Sequence, residues 1–301
     1  MSSVSKDATK RPTGLALYTR AAEASSNQVI KAYSTSFGFA VSLLGSSCRQ
    51  AVRNIYALVR VADEIVDGAA ADARALGSKV DPASQLDQLE AEVYAALANG
   101  FSTNLVVHAF ALSANEIGFG RELIEPFFYS MRQDLTSTQH DQESFKRYVY
   151  GSAEVVGLMC LGAFLKYSKA TYSAEAKLQL VEGARALGSA FQKVNFLRDL
   201  AADFKALGRS YFPNVTVANF TEAEKTRLVD GINAELAISA KTISLLPGNC
   251  RAAVAAAQLL FAELNHRIDA TPAAALIERR ISVPNWRKLG LLVQAIVTRK
   301  A

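Results

Sequence analysis

The chain has 301 residues, half of them apolar and 20% charged, with a net charge of +5 and a pI near 9.0. That is enough apolar residue to bury a sizeable core and leave side chains over to line a pocket. The basic excess suits an anionic substrate or an anionic membrane surface, but no run of Lys/Arg and no finger or RNP pattern accompanies it, so nucleic acid is not an expected partner. Cys48, Cys160 and Cys250 are odd in number and widely spaced. They exclude a disulfide framework or zinc knuckle and point to a reducing, cytoplasmic setting. His108, His140 and His266 are isolated and read as surface or core residues rather than metal ligands.

Residues 1–13 are polar, lack the apolar stretch of a signal peptide, and read as a flexible tail ahead of one domain over 14–301. From there the apolar spacing is helical almost throughout. Helices are predicted over 14–33, 49–66, 82–97, 104–116, 121–133, 142–166, 174–207, 222–244, 250–268 and 288–296. Few Pro and Gly, and abundant Ala and Leu, favour that state. Breaks fall at 44–47, 68–81, 207–214 and 247–249, where Gly, Pro, Ser and Asp collect. The Ala/Gly-rich stretch 68–81 reads as a surface loop. No segment reaches the uninterrupted apolar length of a membrane span; the best, 155–165, is short and runs into Lys166. With no repeat, heptad array or linker, the chain is read as a single all-α domain.

Two of these helices carry acidic stripes. In the first, Val52, Ile55, Val59, Ala62 and Val66 form an apolar face, and Tyr56, Arg60, Asp63 and Asp67 form a second stripe at steps of three and four. Asp63 and Asp67 are one turn apart, so their carboxylates project side by side. Like charges so placed cost a helix roughly 0.2–0.5 kcal/mol, which solvent, Arg60 or a divalent cation must offset. The second helix repeats the arrangement with Gln192, Asn195, Asp199 and Asp203, beside Arg198 and among Phe191, Val194, Leu197, Leu200 and Ala201. One such pair would read as a solvated face. Two pairs, each with Arg, Tyr or amides and neither with the Lys and Glu usual on solvated faces, read as a site. Oxygen-only donors suit Mg²⁺, with Mn²⁺ as a substitute; without His or Cys beside them, zinc and iron are disfavoured. Metal and arginine around a diphosphate would stabilise the charge that builds as a C–O bond ionises. The allylic cation left behind needs a dry, apolar pocket. No phosphate-binding P-loop, dinucleotide fingerprint or serine elbow is present, so phosphoryl transfer, Rossmann-type hydride transfer and ester hydrolysis lose support.

At this point the residues resemble the squalene/phytoene synthase family. The resemblance rests on YSTSFGFAVSLL (33–44), YALVRVADEIVD (56–67), YVYGSAEVVG (148–157), QKVNFLRDLAADF (192–204) with GRSYFP (208–213), and RRISVPNWRKLGLL (279–292), in the family's order and over almost the whole chain. The first motif is most similar to the phytoene-forming branch of actinobacterial type. The resemblance implies an isoprenoid-synthase-type bundle of antiparallel helices around a central cavity. It implies that Asp63 and Asp67 bind Mg²⁺ at one diphosphate, and that Asp199 and Asp203 do so from the opposite wall. Arg60, Arg198, Gln192, Asn195 and Tyr56 would contact the diphosphate or support those ligands. Tyr33, Ser34, Thr35 and Ser36 would close over it, and Tyr148 would sit near the reacting carbons; Arg60, Tyr148 and Arg198 are the catalytic candidates. The implied reaction joins two prenyl diphosphates head to head through a cyclopropyl diphosphate. The phytoene-forming branch ends by losing a proton, and the squalene-forming branch by taking hydride from NADPH.

The expectation is therefore condensation of two geranylgeranyl diphosphates without NADPH; the alternative is a squalene or dehydrosqualene synthase using farnesyl diphosphate. Small Ala40 and Val41, on the helix implied to floor the cavity, favour the longer chain. Three residues depart from the family's pattern. Glu64 stands for Asp. Glu154 stands for Gly and would bring a carboxylate near the pocket. Phe261 stands for Tyr and lacks its hydroxyl. A class I terpene cyclase would share DEIVD but show an Asn…Ser/Thr…Glu triad where this chain has DLAAD. A non-catalytic scaffold would show broken acidic motifs, and all four carboxylates are present. A water-insoluble product and Arg279, Arg280, Arg287, Lys288, Arg299 and Lys300 near the C-terminus suggest peripheral contact with the inner face of the membrane and transfer to downstream carotenoid enzymes.

Overall fold

The computed structural model describes residues 13–202, 211–216 and 218–298, and among them every regular element is helical. In chain order the helices are α1 (Gly14–Tyr33), α2 (Thr35–Ser42), α3 (Ser46–Val66), α4 (Ala69–Ala75), α5 (Pro82–Asn99), α6 (Leu105–Ile117), α7 (Arg121–Thr136) and α8 (Gln142–Val149). A π-helical turn (Tyr150–Glu154) leads into α9 (Val155–Lys166). Then follow α10 (Ala174–Ala202), α11 (Glu222–Thr242), α12 (Arg251–Asp269), α13 (Ala273–Leu276) and α14 (Asn285–Thr298).

Local chemistry sets many of these boundaries. Asp81 caps α5 by accepting from Ser84 N, with Pro82 at the first helical position. Asn104 accepts from Val106 N and Val107 N at the start of α6. Asp141 and Ser144 form a reciprocal capping box at the start of α8. Gly100 and Gly118, both left-handed, close α5 and α6.

Two expectations are corrected. The stretch 68–81 is not all loop. Its AAADARA segment forms α4, which buries no residue and rests on the helix propensity of alanine. The apolar run 155–165 does not stand alone either. The helix passes through the π turn without breaking, so Gln142–Lys166 is 25 residues long and apolar enough to cross a membrane by length and composition. More than half of its apolar window is buried inside the bundle, against α7 and α10, which makes it a core helix of this fold.

Packing forms three apolar clusters. One joins α3, α5, α6, α7 and α9 through Ile55, Leu58, Leu86, Phe110, Phe127, Phe128 and Met159. A second joins α8, α10, α11 and α12 through Tyr148, Phe196, Leu197, Ile232 and Ile268. The third joins α1, α2, α3, α9, α10 and α12 through Ile30, Val41, Val52, Leu161, Leu180 and Ala253. Each fully buried large apolar side chain among these contributes roughly 1.5–3 kcal/mol of transfer free energy. Helices α3 and α10 each border two clusters, and α9 packs against both. Their polar stripes therefore run along seams between apolar masses.

Candidate active site

On α3 the apolar face and the acidic stripe fall as the spacing predicts. Val52, Ile55, Ala62 and Val66 are buried, and Tyr56, Arg60 and Asp63 are half-buried beside them. Asp67 is the C-cap of the helix, with its N–H still bonded to Asp63 O at 2.9 Å. Arg60 Nη1 donates to Asp63 Oδ2 at 2.5 Å, and its Nη2 pairs with Glu64. The guanidinium lies over the Tyr33 ring, 4.4 Å from its centroid. Tyr56 shares a side-chain hydrogen bond with Ser34. Tyr33 and Ser34, at the α1–α2 corner, are thus tied to α3. The other Glu64 oxygen accepts from Ala69 N at 2.8 Å, so this residue also pins the turn after the helix.

Burial pushes the Asp63 carboxyl above its ordinary range. Arg60 opposes that shift, and the neighbouring charges of Asp67 and Glu64 add to it. Burial likewise raises the Tyr56 hydroxyl, against the pull of Arg60.

Tyr148 is 2% exposed, and its hydroxyl donates to Asp134 Oδ1 on α7 at 2.7 Å. Burial, then the charge of Asp134, push its pKa well above the ordinary value, and Asp67 adds to the same shift. The charge of Asp67 at the end of α3 therefore reaches the tyrosine. Around it the Tyr211 ring stacks at 5.5 Å and His140 packs at 4.9 Å, while Phe196 stacks on Tyr211 at 4.1 Å. Tyr211 also reaches Asp134 Oδ1, at 3.5 Å. Burial lowers the His140 pKa. The π turn directly after α8 fixes the position of Tyr148. Gly151 lies so close to α7 that a Cβ there would run into Pro126 O and Ser130 Oγ. Ser130 Oγ donates to Tyr148 O at 3.0 Å, satisfying an acceptor where the ladder changes register.

On α10, Asp199 is held by Arg198 Nη2 at 2.5 Å and by Arg280 Nε at 2.6 Å. Gln192 and Asn195 are half-buried on the same stripe, and Asn195 Oδ1 is buried without a hydrogen-bond partner. One turn further back, Phe191 stacks on Phe261 of α12 at 3.7 Å, so Phe261 acts here as an apolar packing residue. Asp203 lies outside the described residues, as do the side chains of Thr35 and Ser36.

Arg185 on α10 donates to Glu154 at 2.7 Å. Among the C-terminal cations, Arg280 donates to Asp199 and Arg287 pairs with Glu263 at 3.0 Å. Sequence reasoning passed over Asp134. It falls one residue beyond the predicted end of its helix, yet it continues the buried stripe of Phe127 and Met131 at helical spacing. A carboxylate on an apolar stripe is the signal that could have found it.

The donors fit a hard divalent cation. They are carboxylate and amide oxygens, the α3 carboxylates crowd one another, and Asn195 Oδ1 is an orphaned acceptor. Among the described residues, no three His, Cys, Asp or Glu side chains converge. Mg²⁺ does not require that, because it is ordinarily held by one or two carboxylates together with substrate phosphates and water.

The chain is 28% identical over 287 residues to a 15-cis-phytoene synthase of Paracoccus sp. (strain N81106 / MBIC 01143), covering 89% of this chain and 88% of that one. It is 26% identical over 289 residues to a 15-cis-phytoene synthase of Synechococcus elongatus (strain ATCC 33912 / PCC 7942 / FACHB-805), covering 90% and 91%. A crystal structure of a dehydrosqualene synthase in complex with ligand superposes with a TM-score of 0.78 at 22% identity, covering 94% of this chain and 98% of that one. At that identity the likeness speaks for the fold alone. The squalene/phytoene synthase profile matches residues 30–287, which takes in the stripes of α3 and α10, Tyr148 and Arg280, and the chain belongs to that family.

Proposed function

We propose that the protein condenses two geranylgeranyl diphosphates head to head, through a cyclopropyl diphosphate, to phytoene, releasing diphosphate and using no NADPH. The observation that carries this reading is the pair of oxygen-donor stripes, Asp63/Asp67 on α3 and Asn195/Asp199 on α10, each set on an apolar seam beside an arginine. The length-wide similarity to proteins named phytoene synthase supports the choice of product.

Asp63, Asp67, Asn195, Asp199 and Asp203 are the residues that would hold Mg²⁺, which when bound neutralises charge on the departing diphosphate. Arg60 and Arg198 orient the diphosphate oxygens and take up developing charge. Tyr33 and Ser34, tied to Arg60 and Tyr56, close the α1–α2 corner over that group together with Thr35 and Ser36, while Gln192 supports the α10 donors. Tyr148, anchored by Asp134, sits near the reacting carbons, and the surrounding aromatic rings exclude water that would capture a cation. Residues 14–301 form one catalytic domain behind a polar tail, 1–13. The enzyme works in the cytoplasm and passes its product to downstream carotenoid enzymes.

A second reading, a dehydrosqualene- or squalene-forming enzyme on farnesyl diphosphate, is favoured by the Phe191–Phe261 stack, whose two rings occupy space between α10 and α12.

The test is incubation of purified protein with geranylgeranyl diphosphate and Mg²⁺, without NADPH, then hexane extraction and mass spectrometry. A parallel farnesyl diphosphate reaction and an Asp63→Asn control run beside it. Phytoene from the wild type and at least a hundredfold less from the variant is expected, on the order of the 2.7–4 kcal/mol typical of a lost electrostatic catalytic group. Turnover of farnesyl diphosphate alone would transfer the assignment to the C30 reaction, and no hydrocarbon from either substrate, even after NADPH is added to the farnesyl diphosphate reaction, would overturn both readings.

A further inference from the structure

Helix α14 reverses the usual surface pattern. Its packed side holds Leu291 and Ala295, both buried. Its outward side holds Trp286 (73% exposed), Leu289 (63%), Val293 (54%), Ile296 (43%) and Val297 (62%). At 3.6 residues per turn these five fall within an arc of about 100°. A solvent-facing arc is ordinarily charged or polar. Phe39 of α2, 56% exposed, extends the patch. It lines, with Ala40, Ala256, Lys288, Leu291 and Leu292, a small crevice between α2, α12 and α14.

The charges around this face say what covers it. From Arg279 to the end of the chain there are six Lys and Arg and no Asp or Glu. Arg280 and Arg287 are paired with Asp199 and Glu263, and the stretch still keeps a cationic excess. A second copy docked through a two-fold axis would set this stretch against itself, like charge on like. Residues 1–12 are polar and themselves net cationic, so they offer the arc no apolar cover. At 14 residues α14 is too short to span a bilayer but long enough to lie in its surface plane.

We propose that α14, with Phe39, is an in-plane docking surface for an anionic lipid bilayer. Trp286, Leu289, Val293, Ile296 and Val297 enter the headgroup boundary, and the flanking cations rest on acidic headgroups. This places the crevice between α2, α12 and α14 against lipid, where an apolar product can leave without crossing water; that last consequence rests on the function proposed above, and the docking itself does not.

Trp286 is the only tryptophan in the chain, so its fluorescence reports the contact directly. The full chain is titrated with vesicles of phosphatidylcholine, alone or mixed with phosphatidylglycerol, at low and high salt. Emission should move to shorter wavelength with the mixed vesicles, and high salt or pure phosphatidylcholine should greatly reduce the shift. The double variant Leu289→Asp/Val293→Asp, at exposed positions that leave the circular-dichroism melt unchanged, should lose it. An unshifted wild type, or a double variant that shifts as the wild type does, overturns the proposal. So does a vesicle-free, concentration-dependent shift accompanied by a dimer in sedimentation, which would make a second copy the occupant. Vesicle binding requires no turnover, so a protein that binds lipid yet forms no hydrocarbon would sink the proposed reaction and leave the docking surface standing.

Discussion

Tyr148 and Asp134 form a buried hydrogen-bonded pair, to which Tyr211 adds a longer contact on the same oxygen. Tyr148→Phe leaves the Asp134 carboxylate short of its nearest donor, so the variant should lose about 1–3 kcal/mol of stability. Asp134→Asn keeps an oxygen at the same place and can still accept from Tyr148. It should therefore unfold in urea closer to the wild type than Asp134→Ala does. If all three variants unfold alike, the hydrogen bond contributes nothing and Tyr148 is held by ring packing alone. Arg280 is the opposite case. Its side chain is 66% exposed, so its ion pair with Asp199 is worth little to stability, about 0–1 kcal/mol. Arg280→Gln should barely move the urea midpoint while weakening inorganic diphosphate binding, measured by calorimetry with Mg²⁺ present. An unchanged affinity would return Arg280 to the surface. These two residues also differ in how far the sequence exposes them. Arg280 stands in a motif that the chain advertises, and only its partner was hidden, because Asp199 lies 81 positions away and no spacing rule joins them. Asp134 was hidden altogether, because its importance comes from burial opposite a tyrosine on another helix.

At the level of elements, the π turn between α8 and α9 decides where Tyr148 sits, and it depends on the absence of a side chain at Gly151. Gly151→Ala would drive a Cβ into Pro126 O and Ser130 Oγ, atoms of a helix backbone and a short, hydrogen-bonded side chain that cannot swing away. Overpacking of this kind costs about 1–3 kcal/mol. The thermal midpoint should fall, and Tyr148 should be displaced enough to depress hydrocarbon formation beyond what the loss of folded protein explains. A variant as stable and active as the wild type would mean that α7 and the turn can part freely. Here the apolar period identifies Gln142–Lys166 as one helix correctly, since a single extra residue in the ladder leaves its amphipathic trend intact. What the period does not carry is the register change itself, which is set by contact with Pro126 on α7. Helix α4 is missed for the reverse reason: it has no buried face and hence no period, only alanine.

For the whole molecule, the consequential fact is that each acidic stripe rides on a helix joining two apolar clusters, one of which is common to both helices. Asp63 and Asp67 ride on a helix shared by the α5–α6–α7 and α1–α2 masses, while Asn195 and Asp199 ride on one shared by the α11–α12 and α1–α2 masses. Helical periodicity is enough to reveal each stripe separately, and the family resemblance implies that they oppose one another; the seams they follow arise only from three-dimensional packing. A ligand that bridges the stripes binds the folded bundle and has no counterpart in the unfolded chain, so it must stabilise the fold by mass action. Inorganic diphosphate with Mg²⁺ at a hundred times its dissociation constant should add about 2.7 kcal/mol, a rise in the unfolding midpoint on the order of 5 °C. Because the carboxylates repel the anion without the metal, diphosphate with a chelator should give far less, and Mg²⁺ alone should give little because one or two carboxylates hold it weakly. Asp63→Asn should reduce the combined shift, and Leu289→Asp/Val293→Asp should not, since both of those side chains are exposed on the outward side of α14. A midpoint that rises equally with diphosphate alone would mean that Arg60, Arg198 and Arg280 bind the anion unaided and that the carboxylates serve only to position those arginines.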